Sequence, residues 1–237
     1  MKPKMLDMCC CAGGATRGYQ HAGWHVTGAD LRRHPRHVGD AFIEGDALAL
    51  DPGHIRENFD AAHASPPCQG LTEMNNDKSR HENIIAPMRR LLDASGVPYT
   101  IENVRAAREH LVNPISLFGT MFDCHMVTSA GQRFVLSRER LFETNWPVVV
   151  PEDPGPQGHP IANVFGGHLR ARSGEYRTGK GTGRTVDFPG EDRPALARQL
   201  MGMPWASMGE MSEAVPPAYT EWLGRQLLDH LQSRAAA

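Results

Sequence analysis

Three stretches of this chain place reactive side chains in settings suited to chemistry. In ASPPCQGLT, residues 64–72, two prolines stand directly ahead of Cys68. Proline fixes φ and biases the residue before it away from helix, so the thiol is presented on a stiff loop. An unperturbed thiol has a pKa near ~8.5, and a helix N-terminus, which Gln69–Gly70 could begin, would lower it. A lone cysteine is more often a small buried hydrophobe. A Pro-Pro-Cys-Gln mounting at a strand end suits a nucleophile better. In YTIENVRAA, Glu102 and Asn103 close a strand-like run. A buried carboxyl there, its pKa raised, could give a proton or hydrogen bond to a heterocycle nitrogen; the plain alternative is a helix cap. In LSRERLFET, Arg138 and Arg140 alternate with Glu139. In a strand they would point the same way, where two guanidiniums can hold carbonyl oxygen and phosphate. The alternative is a salt-bridged edge strand.

A fourth stretch suggests a ligand. LDMCCCAGGATRG puts Asp7 at a strand end and Gly13–Gly14 at the entry to a helix. Glycine admits a ligand close to the backbone, and the free N–H groups of a helix start suit a phosphate or a carboxylate. Asp30 closes the second strand, where doubly wound folds place an acid on a ribose. Asp46 could add a third polar contact. A plain tight turn explains the glycines equally well. Cys9, Cys10 and Cys11 invite a metal reading, but three adjacent cysteines cannot easily wrap one tetrahedral ion. Neither a C-x-x-C partner nor more than His125 beside Cys124 supports one, so no metal is expected.

Alternating strands and helices must position these groups. Lys4–Met8, Trp24–Ala29, Phe59–Ala64 and Pro98–Glu102 read as strands. Thr16–Ala22 and Asn83–Ala94 have helical spacing, with Gly96 as a stop. The pattern predicts an α/β protein with a doubly wound, mostly parallel sheet. Residues 147–194 are rich in Gly and Pro, with only Ile161–Phe165 strand-like. Helical patterns return at Pro194–Met201 and from Ala218 to about Leu231. The expected division is a catalytic core over 1–145, a short recognition insert over 146–192, and C-terminal helices over 193–237 that complete the core.

Bulk properties narrow the class. The chain has 237 residues, 40% hydrophobic and 22% charged, too apolar for disorder. No run is long enough to span a membrane. Five cysteines without framework spacing, and no secretory signal, point to a reducing cytoplasm rather than a disulfide scaffold. A net charge of −2 excludes generic nucleic-acid adhesion. Yet Arg170, Arg172, Arg177, Lys180 and Arg184 face only Glu175 between residues 166 and 184. Such a stretch could bind phosphates or be a solvated loop.

Together, and in order over nearly the whole chain, these motifs resemble those of the cytosine-C5 DNA methyltransferases. LDMCCCAGGATRG is similar to their S-adenosylmethionine turn, SPPCQG to their nucleophile motif, IENV to their Glu-Asn-Val motif and SRERLF to their Arg-x-Arg motif. LARQLMGMPW and EAVPPAYTEWLGRQL resemble the closing helices. The resemblance implies the fold of S-adenosylmethionine-dependent methyltransferases and a small phage-like or solitary member. It implies attack by Cys68 on cytosine C6, aided by Glu102, Arg138 and Arg140. For the cofactor, and its product S-adenosylhomocysteine, it implies contacts from Asp7, Cys9, Ala12, Gly13, Gly14, Asp30, Asp46, Pro67, Glu213, Ala214 and Val215. Gln69, Asn103 and the basic stretch would meet double-stranded DNA, with the target base flipped out. It further implies a cytoplasmic monomer, with a cognate restriction endonuclease as a possible partner. The sequence departs from the family at Cys9 and Cys11, which replace phenylalanine and glycine, at Leu136, which replaces glutamine, and at Ser212–Glu213, which replaces Gly-Asn. Its recognition segment is short, which implies a relaxed or very short sequence preference. Competing readings are an RNA cytosine enzyme, transfer of a modified group from a cofactor analogue, a DNA-binding relic, and, last, a thiol oxidoreductase.

Overall fold

Strand β1 (Lys4–Met8) is buried along all but its first residue, because helices cover both faces of its sheet. The computed structural model describes residues 2–67, 83–172, 185–186 and 188–235. Around β1, the strands β2 (His25–Asp30), β3 (Ala41–Glu44), β4 (Ala61–Ala64) and β5 (Tyr99–Asn103) run parallel. Beyond β5 come β9 (Arg140–Thr144), antiparallel to it, and β6 (Ile115–Leu117). The sheet order is β3-β2-β1-β4-β5-β9-β6. The chain moves outward from β1 to β3, then crosses back to β4. The crevice at the C-terminal ends of β1 and β4 is therefore the topological switch point, where open α/β sheets bind ligands.

Side-chain alternation assigns the two faces. Leu6, Met8, Ala62 and Ala64 pack with Ile55 of α2 (Pro52–Asn58) and with Ile85, Met88 and Leu92 of α3 (Ile85–Ser95). Met5 and Ala61 face the other way, against Tyr19 of α1 (Gly14–Ala22) and Tyr219, Leu223 and Leu227 of α6 (Pro217–Ala235). Each such large apolar side chain contributes roughly 1.5–3 kcal/mol on burial. Helices α1 and α6 approach so closely that a Cβ on Gly18 would stand 2.0 Å from Thr220 Oγ1 and 2.1 Å from the Pro217 carbonyl oxygen. Helix α3 ends at Gly96, in the left-handed region at φ +72, as its glycine suggests.

A second sheet of order β12-β11-β10-β8-β7 contains β7 (His125–Val127), β8 (Arg133–Leu136), β10 (Ile161–Phe165), β11 (His168–Arg172) and β12 (Thr185–Val186). Two of its strands precede residue 145. The smaller unit is thus not the contiguous 146–192 expected from composition. Helices α4 (Arg193–Met201) and α5 (Met208–Glu213) pack on this second sheet through Leu196, Leu200 and Met211. Among the C-terminal helices, α6 completes the main core. The loop-dominated reading of 147–194 missed β11 and β12. β11 alternates Leu169 and Ala171 with polar residues over only five positions and pairs with β10, while the two-residue β12 is too short to alternate and pairs with β11. Strands of three or four residues, such as β3, β6 and β7, were likewise invisible to periodicity.

Candidate active site

The first turn leaves β1 through a strained backbone. Cys9 and Cys11 adopt φ +58 and +45, a region costly for residues other than glycine. The turn is held by Cys9 N–H to the Ala29 carbonyl at 2.8 Å and Gly13 N–H to that of Cys10 at 2.8 Å. Asp30 accepts from the N–H of Cys11 at 2.9 Å and of Leu31 at 2.8 Å. Gly13 caps α1 in the left-handed region. A Cβ on Gly14 would lie 2.3 Å from the Val215 carbonyl oxygen, so glycine lets the closing segment seat against the turn. Asp46 caps the turn after β3 through Leu48 N–H at 2.9 Å.

These elements enclose a cavity of about 190 Å³ at the switch point. Asp7, Cys9, Ala12, Gly14, Asp30 and Asp46 line one side. Glu213, Ala214 and Val215 close the far wall, and Pro67, Glu102 and Asn103 the third side. Gly13, Arg138 and Arg140 are not among the lining residues. Leu31, Ala47, Ile84 and Val104 add an apolar wall that sequence reasoning did not identify.

Asp7 is fully buried and receives the Thr16 hydroxyl on Oδ2, while Oδ1 has no protein partner. Burial pushes its carboxyl up to about 7, against the Thr16 hydrogen bond. Burial and the neighbouring Asp30 hold the Cys11 thiol up at about 12, and Cys9 and Cys10 are raised further by burial and the nearby acids. All three thiols are therefore protonated at neutral pH, which argues against thiol redox chemistry there. The sequence reading weighed only the cysteine run and His125 as metal ligands. The structure instead brings Cys11, Asp30 and His34 within 4.8 Å of one another, with both Asp30 oxygens already accepting backbone N–H groups.

On the β4–β5 side, Glu102 is 5% exposed, and Arg140 Nε stands 3.1 Å from its Oε1. Burial raises the Glu102 pKa, opposed by Arg140, a hydrogen bond from Ser65 and then Arg138. Asn103 donates to the Pro66 carbonyl at 3.0 Å, tying the end of β5 to the proline loop. Pro66 and Pro67 line the cavity and lead directly into residue 68. Cys68 and Gln69 lie outside the described residues, as do Arg177, Lys180 and Arg184. Of the other basic candidates, Arg170 is exposed on β11 and stacks over Phe165 at 4.8 Å; Arg172 ends the same strand.

Arg138 does not share a strand face with Arg140, because β9 begins at residue 140. Its guanidinium binds the carbonyls of Ala214 at 3.1 Å, Val164 at 2.8 Å and Ser212 at 2.6 Å. It thus clamps the Glu213 wall to the second sheet. Ser212 adds to that junction by accepting from Gly167 N–H at 2.9 Å.

No protein-family model and no curated protein matches the sequence. Solved structures do match the fold over nearly the whole chain. A candidate DNA modification methyltransferase encoded within an E. coli prophage aligns over 98% of this chain and 100% of its own, at TM-score 0.62 and 14% identity. The Dnmt2 methyltransferase of S. pombe aligns over 97% and 99%, at 0.57 and 12%. The methyltransferase EhMeth of Entamoeba histolytica aligns over 98% and 99%, at 0.57 and 12%. The chain has the α/β fold of these methyltransferases, as the motif resemblance led one to expect. Among the described residues, no helix is long and apolar enough to cross a membrane.

Proposed function

We propose that the chain is an S-adenosylmethionine-dependent methyltransferase acting on C5 of cytosine in DNA. One observation carries the reading: buried Glu102, paired with Arg140, opens into the same cavity as the Pro66–Pro67 loop that leads into Cys68. The E. coli neighbour, a candidate DNA modification methyltransferase, supports DNA as the substrate.

The cavity suits the cofactor by charge. Five acids line it (Asp7, Asp30, Asp46, Glu102 and Glu213), with no lysine, arginine or histidine among the described lining residues. A nucleoside bearing a sulfonium and an ammonium fits such a site; a nucleotide polyphosphate does not. Asp7 Oδ1, buried without a partner, awaits a donor or a cation. In this reading Asp30 would hold the ribose, the apolar Leu31 and Ile84 would take the adenine, and Gly14 with Glu213–Val215 would hold the amino-acid end. When bound, the cofactor supplies an electrophilic methyl group.

The chain's own residues prepare the carbon. Cytosine C5 is a poor nucleophile. Attack of the Cys68 thiolate on C6 pushes an electron pair through the ring and makes C5 nucleophilic, dividing one hard step into easier ones. Glu102, its pKa raised by burial, offers its proton to the N3/N4 edge and stabilises the adduct. Arg140 keeps that carboxyl in place. Once C5 is methylated, a base removes its proton and Cys68 departs. The cytosine must leave the duplex to reach this depth, at a cost of a few kcal/mol, which phosphate contacts from Arg170 and its neighbours help to offset. Arg138 acts through the wall it clamps. Duplex DNA is thus the partner, and the reading places a monomer in the cytoplasm.

The test is methyl transfer from labelled S-adenosylmethionine to duplex DNA and, in parallel, to RNA, with nucleoside analysis of the product. The proposal expects 5-methylcytosine in DNA, lost in Cys68→Ala. Label in RNA alone, or in no nucleic acid, would contradict it.

A further inference from the structure

A buried line of polar side chains runs behind Glu102. His63 sits in β4 among alanines and is 0% exposed. Its Nδ1 lies 3.1 Å from Tyr19 Oη, and its Nε2 lies 3.0 Å from Ser65 Oγ. Ser65 directly follows the Ala64–Ile101 register pair, which sets it beside Glu102, and both line the cavity; the Glu102 Oε1 is 3.1 Å from Arg140 Nε. The line runs from the α1 side of the sheet to the cavity wall. The reaction described above uses only its last two members.

Burying an imidazole in an alanine strand is costly unless both nitrogens are bonded. Complete burial drives the His63 pKa down to about 3, so the ring is neutral and has one N–H and one lone pair. Bonded at both ends, such a ring transmits a direction. When Tyr19 donates to Nδ1, Nε2–H donates to Ser65, and the Ser65 hydroxyl hydrogen is left for Glu102. A tyrosine with a buried hydroxyl needs that acceptor.

We propose that Tyr19, His63 and Ser65 are positioning residues: a hydrogen-bond wire that aims the Ser65 hydroxyl proton at the Glu102 carboxyl and fixes how that carboxyl faces the target base. The inference rests on Glu102 being the group that meets the base. Glu102 is also faced by Arg140 from β9, Arg138 from the preceding loop, and Asp7 and Cys11 from the first turn. Asp7 titrates near 7, so the Glu102 signal must be told apart from it.

The experiment is a ¹³C-carboxyl NMR titration of the free, glutamate-labelled protein, with Glu102 assigned by its missing resonance in Glu102→Gln. Labelling glutamate alone leaves Asp7 silent. Ser65 lowers the Glu102 pKa, so Ser65→Ala should raise the midpoint by about one unit. Gln places its amide nitrogen near Nε2 and Asn places its own near Nδ1. His63→Gln should therefore stay near wild type, while His63→Asn moves the midpoint upward by less than Ser65→Ala. Tyr19→Phe should move it least. In activity, the alkaline limb of the kcat profile should follow the NMR midpoint, with the cofactor KM unchanged. An unmoved midpoint in Ser65→Ala, or equal behaviour of His63→Asn and His63→Gln, would overturn the wire. A shifted midpoint in a protein that transfers no methyl group would overturn the role given to Glu102 instead.

Discussion

The β1–β2 side of the cavity is held mainly by backbone hydrogen bonds and keeps one acid oxygen without a partner, whereas on the β4–β5 side the polar side chains are bonded to other side chains and to the proline loop. On the first side the turn is held by main-chain hydrogen bonds, two residues adopt left-handed φ, and Asp7 Oδ1 has no partner. On the second, Ser65, Glu102, Asn103 and Arg140 each have one. The difference suits the two tasks. A diffusible cation can bring its own charge to an unsatisfied acid, whereas a group that meets a transition state must already be oriented. The cofactor side should therefore respond to pH and ligand, and the base side to loss of a single bond.

The largest expected effect separates the two sides. Glu102→Gln keeps a hydrogen-bonding group beside Arg140 but cannot give a proton. It should lower single-turnover methyl transfer by roughly 10²–10⁴-fold and leave cofactor affinity within about twofold, as read by calorimetry. An equal loss in both would merge the two sides into one. Next, Gly14→Ala forces a Cβ toward the Val215 carbonyl oxygen at 2.3 Å. It should destabilise the protein by about 1–3 kcal/mol and weaken cofactor binding, as read by denaturant melts with and without cofactor.

A third prediction follows from Asp7, whose carboxyl burial raises to about 7. Its folded pKa lies above the unfolded value, so the folded protein holds the proton more tightly. Stability of the free protein should fall as pH rises from about 4 through about 7. A cationic ligand favours the ionised form, so cofactor affinity should rise by about tenfold between pH 6 and pH 8, with proton release on binding. Asp7→Asn should flatten both curves. A slope that persists in Asp7→Asn would assign it to another group. The smallest effect is at Cys11, where φ is +45. Cys11→Gly should stabilise the fold by about 1 kcal/mol or slightly less, measurable as a rise in Tm.

Residues with a local reason to stand out were legible in the sequence. Gly13–Gly14, the proline pair and Gly96 announce turns by their backbone needs. Glu102 and Asn103 could be placed because a strand pattern ran directly into them. Asp7, Asp30 and Glu102 followed from strand ends, whereas Glu213, at the end of α5, was named only through the motif resemblance. What stayed hidden depended on distant partners. Nothing near Arg138 says that its guanidinium will meet carbonyls of residues 164, 212 and 214. The second sheet takes strands from both sides of residue 145, so composition drew its boundary in the wrong place. His63 left one readable trace, a titratable side chain inside an apolar strand two residues before Ser65. Its bond to Tyr19, 44 residues away, left none.

The central claim is that thiol, carboxyl and guanidinium act together on one cytosine. Duplex DNA carrying 5-fluorocytosine cannot release the C5 substituent as a proton, so it should trap the Cys68 adduct. Denaturing gel electrophoresis should show a cofactor-dependent covalent complex with the wild type, none with Cys68→Ala, and much slower trapping with Glu102→Gln. A complex that persists in Cys68→Ala, or no complex with any fluorinated duplex, would contradict the account.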